Sequence, residues 1–500
     1  MEKMKTRRWL VLGAISFALL AVGLDMTVLN IALPTLATEL AASTSELQWF
    51  ANSYNLVLAA LLLPAGMLGD RYGRKKMLLI ALFVFGLGSL GCAYADSPEM
   101  LIGMRIVLGL GAAFLMPLSM SILPVLFSGA ERTKAMMIWA TANMLGIPLG
   151  PIVGGWLLKN YHWGSVFLLN LPFVVIGFLA ISILMPESRS QIRGKIDFIG
   201  VLTSSIGLVS ITYGVIKAGE KSWGNSEVIF TILVGLLALC LFVLWQRRTK
   251  YPLIDLTLFR SPSFTWGSVL ATLVSFAMFG ILFTMPLFFQ AVGGIDTLGT
   301  GLRLLPLIAG LIVGAKVSGK LVLKIGTKNN VAIGFLFLAA GLAIGAMTKV
   351  DSTLSFSAFW ITITGIGLGL ALPTAMDSAL GELTAERSGV GSALIMAMRQ
   401  VGGAFGVAIL GTVLNSSYHS GLELTGLPAK VANTIEQSVS AGVAVAEKLQ
   451  SSKLLNNVRG AFVNGMDTML LVCAGIAIFG VLCTLVFLPR KQSNLEEKDA

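Results

Sequence analysis

The chain has 500 residues, of which 55% are hydrophobic and only 12% charged. A soluble domain carries about 25% charged residues, so a soluble enzyme, a disordered chain and a nucleic-acid-binding protein are excluded as first readings. The formal net charge of +11, from 36 Lys and Arg against 25 Asp and Glu, needs a place in a chain with so little polar surface.

In chain order, apolar runs bounded by charged or turn residues fall at roughly 10–32, 49–69, 77–95, 100–125, 136–158, 165–185, 197–216, 227–246, 264–289, 301–322, 330–348, 355–376, 389–413 and 467–488. Each approaches the roughly 20 residues that cross a hydrocarbon core about 30 Å thick. None has a polar face or the ten-residue alternation of a barrel strand. The expected fold is an all-α integral membrane protein with fourteen transmembrane helices. The basic N-terminus, Met1 to Arg8, runs into the first span with no small-residue cleavage site and is expected to stay attached. In the long polar segment 414–466, Val431, Ile435, Val439 and Val443 recur every four residues. That spacing predicts an amphipathic surface helix, capping the outer mouth, meeting a partner or simply lying there. Cys92, Cys240, Cys473 and Cys483 sit inside apolar runs with no pairing or metal spacing and read as packing residues.

Basic residues cluster on alternate loops. Lys3, Lys5, Arg7 and Arg8 precede the first run, and Arg71, Arg74, Lys75 and Lys76 follow the second. Arg132 and Lys134, then Arg189, Arg193, Lys195, Arg247, Arg248, Lys250, Arg260, Lys320, Lys324, Lys328, Arg387, Arg490, Lys491 and Lys498 continue the same side. The opposite short loops hold only Lys159, Lys217, Lys221 and Lys349. The positive-inside rule then puts both termini in the cytoplasm. The +11 is mostly topology, and no basic domain remains for nucleic acid.

Gly66-Met-Leu-Gly-Asp70-Arg71-Tyr-Gly73-Arg74-Lys75 ends the second run, and Gly319-Lys320-Leu-Val-Leu-Lys324-Ile-Gly326-Thr-Lys328 ends the tenth. Gly66 aligns with Gly319 and Gly73 with Gly326 at one common offset. Eight runs separate the copies, so the natural partition is six spans, two inserted spans and six more. The expected units are an N-terminal bundle over 1–188, the inserted pair and linker over 189–260, a C-terminal bundle over 261–488 and a tail over 489–500. Parallel halves of this kind place substrate near the midplane between them.

Four motifs in order carry a family resemblance. They are Leu24-Asp25-Met-Thr27-Val-Leu-Asn30-Ile-Ala-Leu-Pro34, the loop Gly66–Lys76, Arg105-Ile-Val-Leu-Gly109-Leu-Gly111-Ala112, and Gly146-Ile-Pro148-Leu-Gly150-Pro151-Ile-Val-Gly154-Gly155. Arg399-Gln400-Val-Gly402-Gly403-Ala-Phe-Gly406 in the thirteenth run agrees with them. With these the chain resembles the major facilitator superfamily, and more narrowly its fourteen-span drug:proton antiporters of Gram-positive bacteria. The resemblance implies the major facilitator fold, proton coupling through Asp25 and Arg105, and a conformational switch loop formed by Gly66, Asp70, Arg71, Gly73, Arg74 and Lys75. It also marks Gly146, Pro148, Gly150, Pro151, Gly154 and Gly155 as an antiporter motif.

Asp25 lies about two-thirds along the first span, where an ionised carboxylate costs roughly 2.5–3.5 kcal/mol. Such a group binds a proton or a cation, unless hydrogen bonds neutralise it and it only holds helices together. Arg105, near the start of the fourth span, keeps its proton and needs an acceptor; it either faces the cavity beside a carboxylate or snorkels to the boundary. Asp377 after the twelfth span is a second candidate cavity acid or a solvated helix end, and Asp296 reads as a loop charge. Asn30, Gln290 and Arg399 complete the substrate-binding candidates. Gly146, Gly150 and Gly154 form a smooth strip for close helix approach, which could seal the halves against leak. Lys316, inside the tenth span, either repels cationic substrates or snorkels. Asp70 beside Arg71, Arg74 and Lys75 reads as a latch, and the second copy has Leu323 at its place. His162 and His419 fall in outer loops, so no histidine relay crosses the membrane.

Gly365-Ile-Gly367-Leu-Gly369 lies mid-span without a flanking strand, so it fails as a nucleotide loop, and no P-loop lysine motif occurs. No cofactor and no metal site are expected. The sequence reads as a monomeric, proton-driven exporter of lipophilic, often cationic small molecules, with protons and membrane lipids as its other partners. An exporter of an endogenous metabolite, fatty acid or lipid is the nearest alternative. A non-transporting receptor or scaffold would not need Asp25 or the fifth-span motif.

Overall fold

A backbone inside hydrocarbon must satisfy its own N–H and C=O groups, and the described residues of this chain do so with helices. The computed structural model describes residues 2–40, 42, 44–189, 197–221, 223–250, 252–381, 383, 388–424 and 427–489, a few side chains within helices excepted, and no strand occurs among them.

The first group is α1 (Glu2–Glu39), α2 (Thr44–Tyr72), α3 (Arg74–Ala93), α4 (Pro98–Ser121) with its short continuation α5 (Leu123–Leu126), α6 (Gly129–Asn160), and α7 (Ser165–Leu168) leading into α8 (Asn170–Leu184). An antiparallel pair follows, α9 (Phe198–Lys221) and α10 (Ser226–Arg248). The last group is α11 (Pro262–Leu287), α12 (Thr297–Gly345), α13 (Leu354–Leu380), α14 (Ser388–Gly421), the short α15 (Ala429–Gln437) and α16 (Val439–Lys448), and α17 (Ser452–Phe487).

Local sequence starts these helices. Ser97 accepts the Met100 amide with Pro98 in the first turn, and Ser261 accepts the Phe264 amide with Pro262 likewise placed. A serine N-cap satisfies one of the orphan amides, and proline at the first position has none to lose. Asn225, Asp296, Thr353 and Ser451 cap α10, α12, α13 and α17 in the same way.

Twelve described helical segments are long and apolar enough to cross a membrane. One of them, α12, contains two of the sequence runs, broken at Gly326 (φ 81°, ψ 166°). The run at 136–158 lies on α6, several of whose side chains are outside the described ones. Gly73, between α2 and α3, has φ 108°. Both copies of the repeat therefore turn on a glycine in the left-handed half of backbone space, which a side chain rarely enters. Lys320 and Lys324, expected in a loop, instead lie on α12 itself.

Within the first group α1 packs on α6 and α8, α3 on α4 and α8, and α2 on α4; within the last, α12 packs on α13 and α17, and α11 and α14 on each other and on α17. Across them run α2 against α14, α4 against α14, α6 against α12 and α6 against α13. The inserted α9 lies on both α2 and α14. Its end is clamped by buried Asp197, which accepts Trp245 Nε1 and Gln246 Nε2 at 2.7 Å each. The expected linker residues 190–196 and tail residues 490–500 lie outside the described residues.

The single amphipathic helix expected between the last two spans is two helices. Ser438 is extended (φ −167°, ψ 156°) and caps α16 by accepting the Ala441 amide. Ile435 and Val439, on either side of the break, are both buried, with Tyr418 Oη donating to the Ile435 carbonyl at 3.0 Å.

Candidate functional site

The structure brings Asp25 and Arg105 together. Arg105 Nη1 donates to Asp25 Oδ2 at 2.6 Å, and the two side chains are 2% and 1% exposed. Arg105 Nε donates to the Phe50 carbonyl at 2.8 Å, and its guanidinium lies 4.5 Å from the centre of the Tyr54 ring. Three helices, α1, α2 and α4, thus meet at one guanidinium. A fourth and fifth join through Asn170 of α8, whose Nδ2 reaches Asp25 Oδ1 at 3.4 Å and Ser89 Oγ of α3 at 2.8 Å. Ser89 in turn donates to the Phe167 carbonyl. A buried ion pair is held only if its remaining hydrogen-bonding capacity is met, and this one is met on most sides. Among the described residues, the Tyr54 hydroxyl and Asn170 Oδ1 beside it have no hydrogen-bond partner.

The glycine strip of α6 supports this pair from behind. A Cβ on Gly146 would fall on the Gly23–Leu24 backbone, and one on Gly150 would fall on Thr27 Oγ1. Gly154 sits against Val28, and Gly155 faces open space. The strip therefore seats α6 on the turn of α1 that carries Asp25. It does not lie between the halves, as a leak seal between them would require. The side chains of Pro148, Pro151 and Asn30 lie outside the described residues.

At the end that carries the basic loops, two polar ties cross between the halves. Asp70, at the end of α2, accepts Arg74 Nε at 3.1 Å and Nη2 at 2.6 Å. The same carboxylate accepts the backbone amides of Gly389 and Val390 at 3.0 Å each. These belong to the first turn of α14, where free amides and the helix dipole favour an anion. The close approach needs glycine twice, since a Cβ on Gly66 or on Gly389 would collide across the contact. The second tie is Arg132 of α6, whose Nε donates to Asp377 Oδ1 of α13 at 2.5 Å, joined by Thr133 Oγ1 at 2.8 Å. Asp377 is thus neither a free cavity acid nor a solvated helix end in this conformation. Glu187 braces the start of α3, accepting the Lys75 and Lys76 amides, while Lys75 Nζ donates to the Ser182 carbonyl. Arg71 lies over the Tyr72 ring. Leu323, the counterpart of Asp70, is exposed and has no carboxylate with which to make such a tie.

The other candidates are scattered. Arg399 is buried, with Nε donating to Ser275 Oγ at 2.9 Å and Nη1 toward Met396 Sδ. Gln290 lies in a π-helical turn, Phe288–Val292, that follows Pro286. It lines a cavity of about 440 Å³ with Asp296, Glu447 and Arg459, between the end of α11 and α16–α17. Neither Asp25 nor any of its partners lines that cavity. Lys316 is exposed. His419 bonds the Glu436 carbonyl near α15. Among the described residues no cluster of metal-ligating side chains occurs.

Sequence reasoning did not find Tyr54, Ser89, Asn170 or Arg132. Asn170 had a signal, an amide inside the apolar stretch Leu168-Leu169-Asn170-Leu171. Arg132 was counted only as a topology charge.

Helices on this plan, with an ion pair sealed within one half and polar ties between halves, fit a membrane transporter. The family model of the Major Facilitator Superfamily matches residues 15–407, and the chain belongs to that superfamily. Its sequence is 32% identical over 488 residues to the multidrug efflux pump LfrA of Mycolicibacterium smegmatis, covering 95% of this chain and 96% of that protein. It is 29% identical to the tetracenomycin C resistance and export protein of Streptomyces glaucescens, covering 96% and 92%. Among solved structures, the human organic anion transporter MFSD10 superposes with a TM-score of 0.64 at 13% identity, over 96% of this chain and 99% of that one. At that identity the likeness speaks for the fold alone.

Proposed function

We propose that this chain is a proton-coupled exporter of lipophilic, often cationic small molecules. It acts as a monomer in a bacterial plasma membrane, with the basic end and both termini in the cytoplasm. The observation that carries the proposal is the Asp25–Arg105 pair, a titratable carboxylate 1% exposed within a membrane span and matched to one cation. The multidrug and drug-export names of relatives about 30% identical support the substrate class.

In this reading, ionised Asp25 holds Arg105 and, through it, α2 and α4 against α1. A proton entering from outside adds to a carboxylate oxygen, and the charge-assisted bond becomes a weaker neutral one. Arg105 is then an unpaired cation in a medium of low dielectric, which disfavours a cationic substrate nearby and loosens the three-helix junction. The Tyr54 hydroxyl and Asn170 Oδ1 are the groups placed to receive the freed donors. Loss of the proton to the cytoplasm restores the pair. The ties of Asp70 and Asp377 close the cytoplasmic end while the outer end exchanges substrate, and release when the halves rock. The electrical gradient contributes about 2.3 kcal/mol per charge per 100 mV.

Dye uptake into inverted membrane vesicles tests this. An imposed proton gradient should drive uptake by the wild-type protein, and Asp25→Asn should abolish the gradient dependence. Absence of uptake by the wild-type protein, or an unchanged response in Asp25→Asn, refutes the coupling.

A further inference from the structure

Outside the site, α12 carries a ladder of charge. Lys316, Lys320 and Lys324 follow one another at four-residue spacing and all are exposed. Residues four apart stack on one helix face. Exposed Ile312, Val313 and Val317 stand among them. The opposite face, with Leu304, Leu307, Leu311 and Ala315, is buried. Close contacts mark the two edges of the exposed arc. Gly319 meets Met137 of α6 on one side, and Gly310 and Gly314 meet Thr362 and Ile366 of α13 on the other. The lysines therefore face lipid, beside the seam where α6 and α12 join the two halves.

Basic residues at the end of a span are ordinary, but Lys316 is not at the end. It lies about ten residues before the break at Gly326, roughly 15 Å along the helix. Its Cα–Cβ bond tilts toward the helix N-terminus, away from the basic end, so snorkelling to the near interface runs against the bond direction. Among the described residues none of the three lysines makes an ion pair or a hydrogen bond. An ammonium at that depth is costly without an anion. Lys324 and Lys320 form a graded path along which an anion can reach it.

We propose that this ladder binds the phosphate of an anionic phospholipid in the leaflet at the basic end, with the acyl chains continuing along Val313, Ile312 and Leu305. Charge complementarity selects the headgroup, and the exposed apolar residues on the membrane-centre side of Lys316 accept the tails. Free phosphate satisfies only the first of these.

The test is native mass spectrometry of the full-length protein released from vesicles of equal phosphatidylglycerol and phosphatidylcholine. The wild-type protein should retain phosphatidylglycerol preferentially. Lys316→Met should reduce that preference about fivefold, and Lys316→Met with Lys320→Met further. Lys316→Arg should keep it, and Lys430→Met, on α15, should leave it unchanged. Methionine against lipid is well tolerated, so Lys316→Met is expected to fold, and the arginine variant reports on charge in either case. Equal retention of both lipids by the wild-type protein, or an unaltered preference in Lys316→Met, overturns the proposal. So does loss of the preference in millimolar inorganic phosphate, which would indicate a site for the free anion.

Discussion

Replacing Gly389 with alanine should open the basic end of the molecule without altering a charge. A methyl group there would fall on the Asp70 carboxylate, which accepts the Gly389 and Val390 amides at 3.0 Å each. Asp70 must move away from α14, and both bonds are lost. Hydrogen bonds to a charged group contribute about 1.5–3 kcal/mol each, and since the displaced carboxylate keeps Arg74 and regains some water, the lower bound of about 3 kcal/mol for the two is appropriate. At tenfold per 1.4 kcal/mol, the equilibrium between closed and open basic ends shifts roughly a hundredfold. Spin labels at Lys76→Cys, on α3, and Arg260→Cys, two residues before α11, both exposed, would report it by double electron–electron resonance. Exposed Cys240 would be replaced first; Cys92, Cys473 and Cys483 are buried. The longer distance should gain population in Gly389→Ala, and to a smaller extent in Asp70→Asn, which keeps an acceptor oxygen. Superimposable distributions for wild type and a folded Gly389→Ala protein would refute the assignment of Asp70 as the tie to α14.

Three further outcomes are expected. Asp25→Ala leaves Arg105 buried without its anion and should cost about 3–5 kcal/mol, whereas adding Arg105→Met should recover much of that; a thiol-reactive dye that reports buried Cys92 and Cys473 during heating reads both. Gly146→Ala and Gly150→Ala should abolish drug efflux because their methyl groups meet α1 at the Asp25 turn, while Gly155→Ala, facing open space, should leave efflux at the wild-type rate. Ser438→Ala removes the cap of α16, at about 1 kcal/mol; cleavage between α15 and α16 by an added protease should accelerate with efflux unchanged.

The spans were legible because hydropathy is local. Each apolar run needs only length and the absence of a polar face to commit to a membrane helix, and serine followed by proline marks where α4 and α11 begin. The internal repeat was legible for a related reason, as Gly73 and Gly326 occupy backbone that other residues avoid. Asp25 and Arg105 stood out as charges in hydrocarbon, where nearly every other ionisable group is absent.

Partnerships were another matter. Nothing near Asp377 in the chain announces Arg132, because the two meet only when α6 packs across the halves onto α13. The glycine strip of α6 declared that something approaches closely, but whether that was the opposite half or α1 depended on helix rotation. Side-chain pairing between residues far apart is set by how whole helices dock, and docking integrates contacts along their full length. The amino-acid sequence by itself thus determined the membrane helices, their repeat and the charged residues that have to be reconciled with lipid. Only the tertiary structure decided which charge answers which: Arg105 for Asp25, the amides of α14 for Asp70, Arg132 for Asp377, and none within the described protein for Lys316.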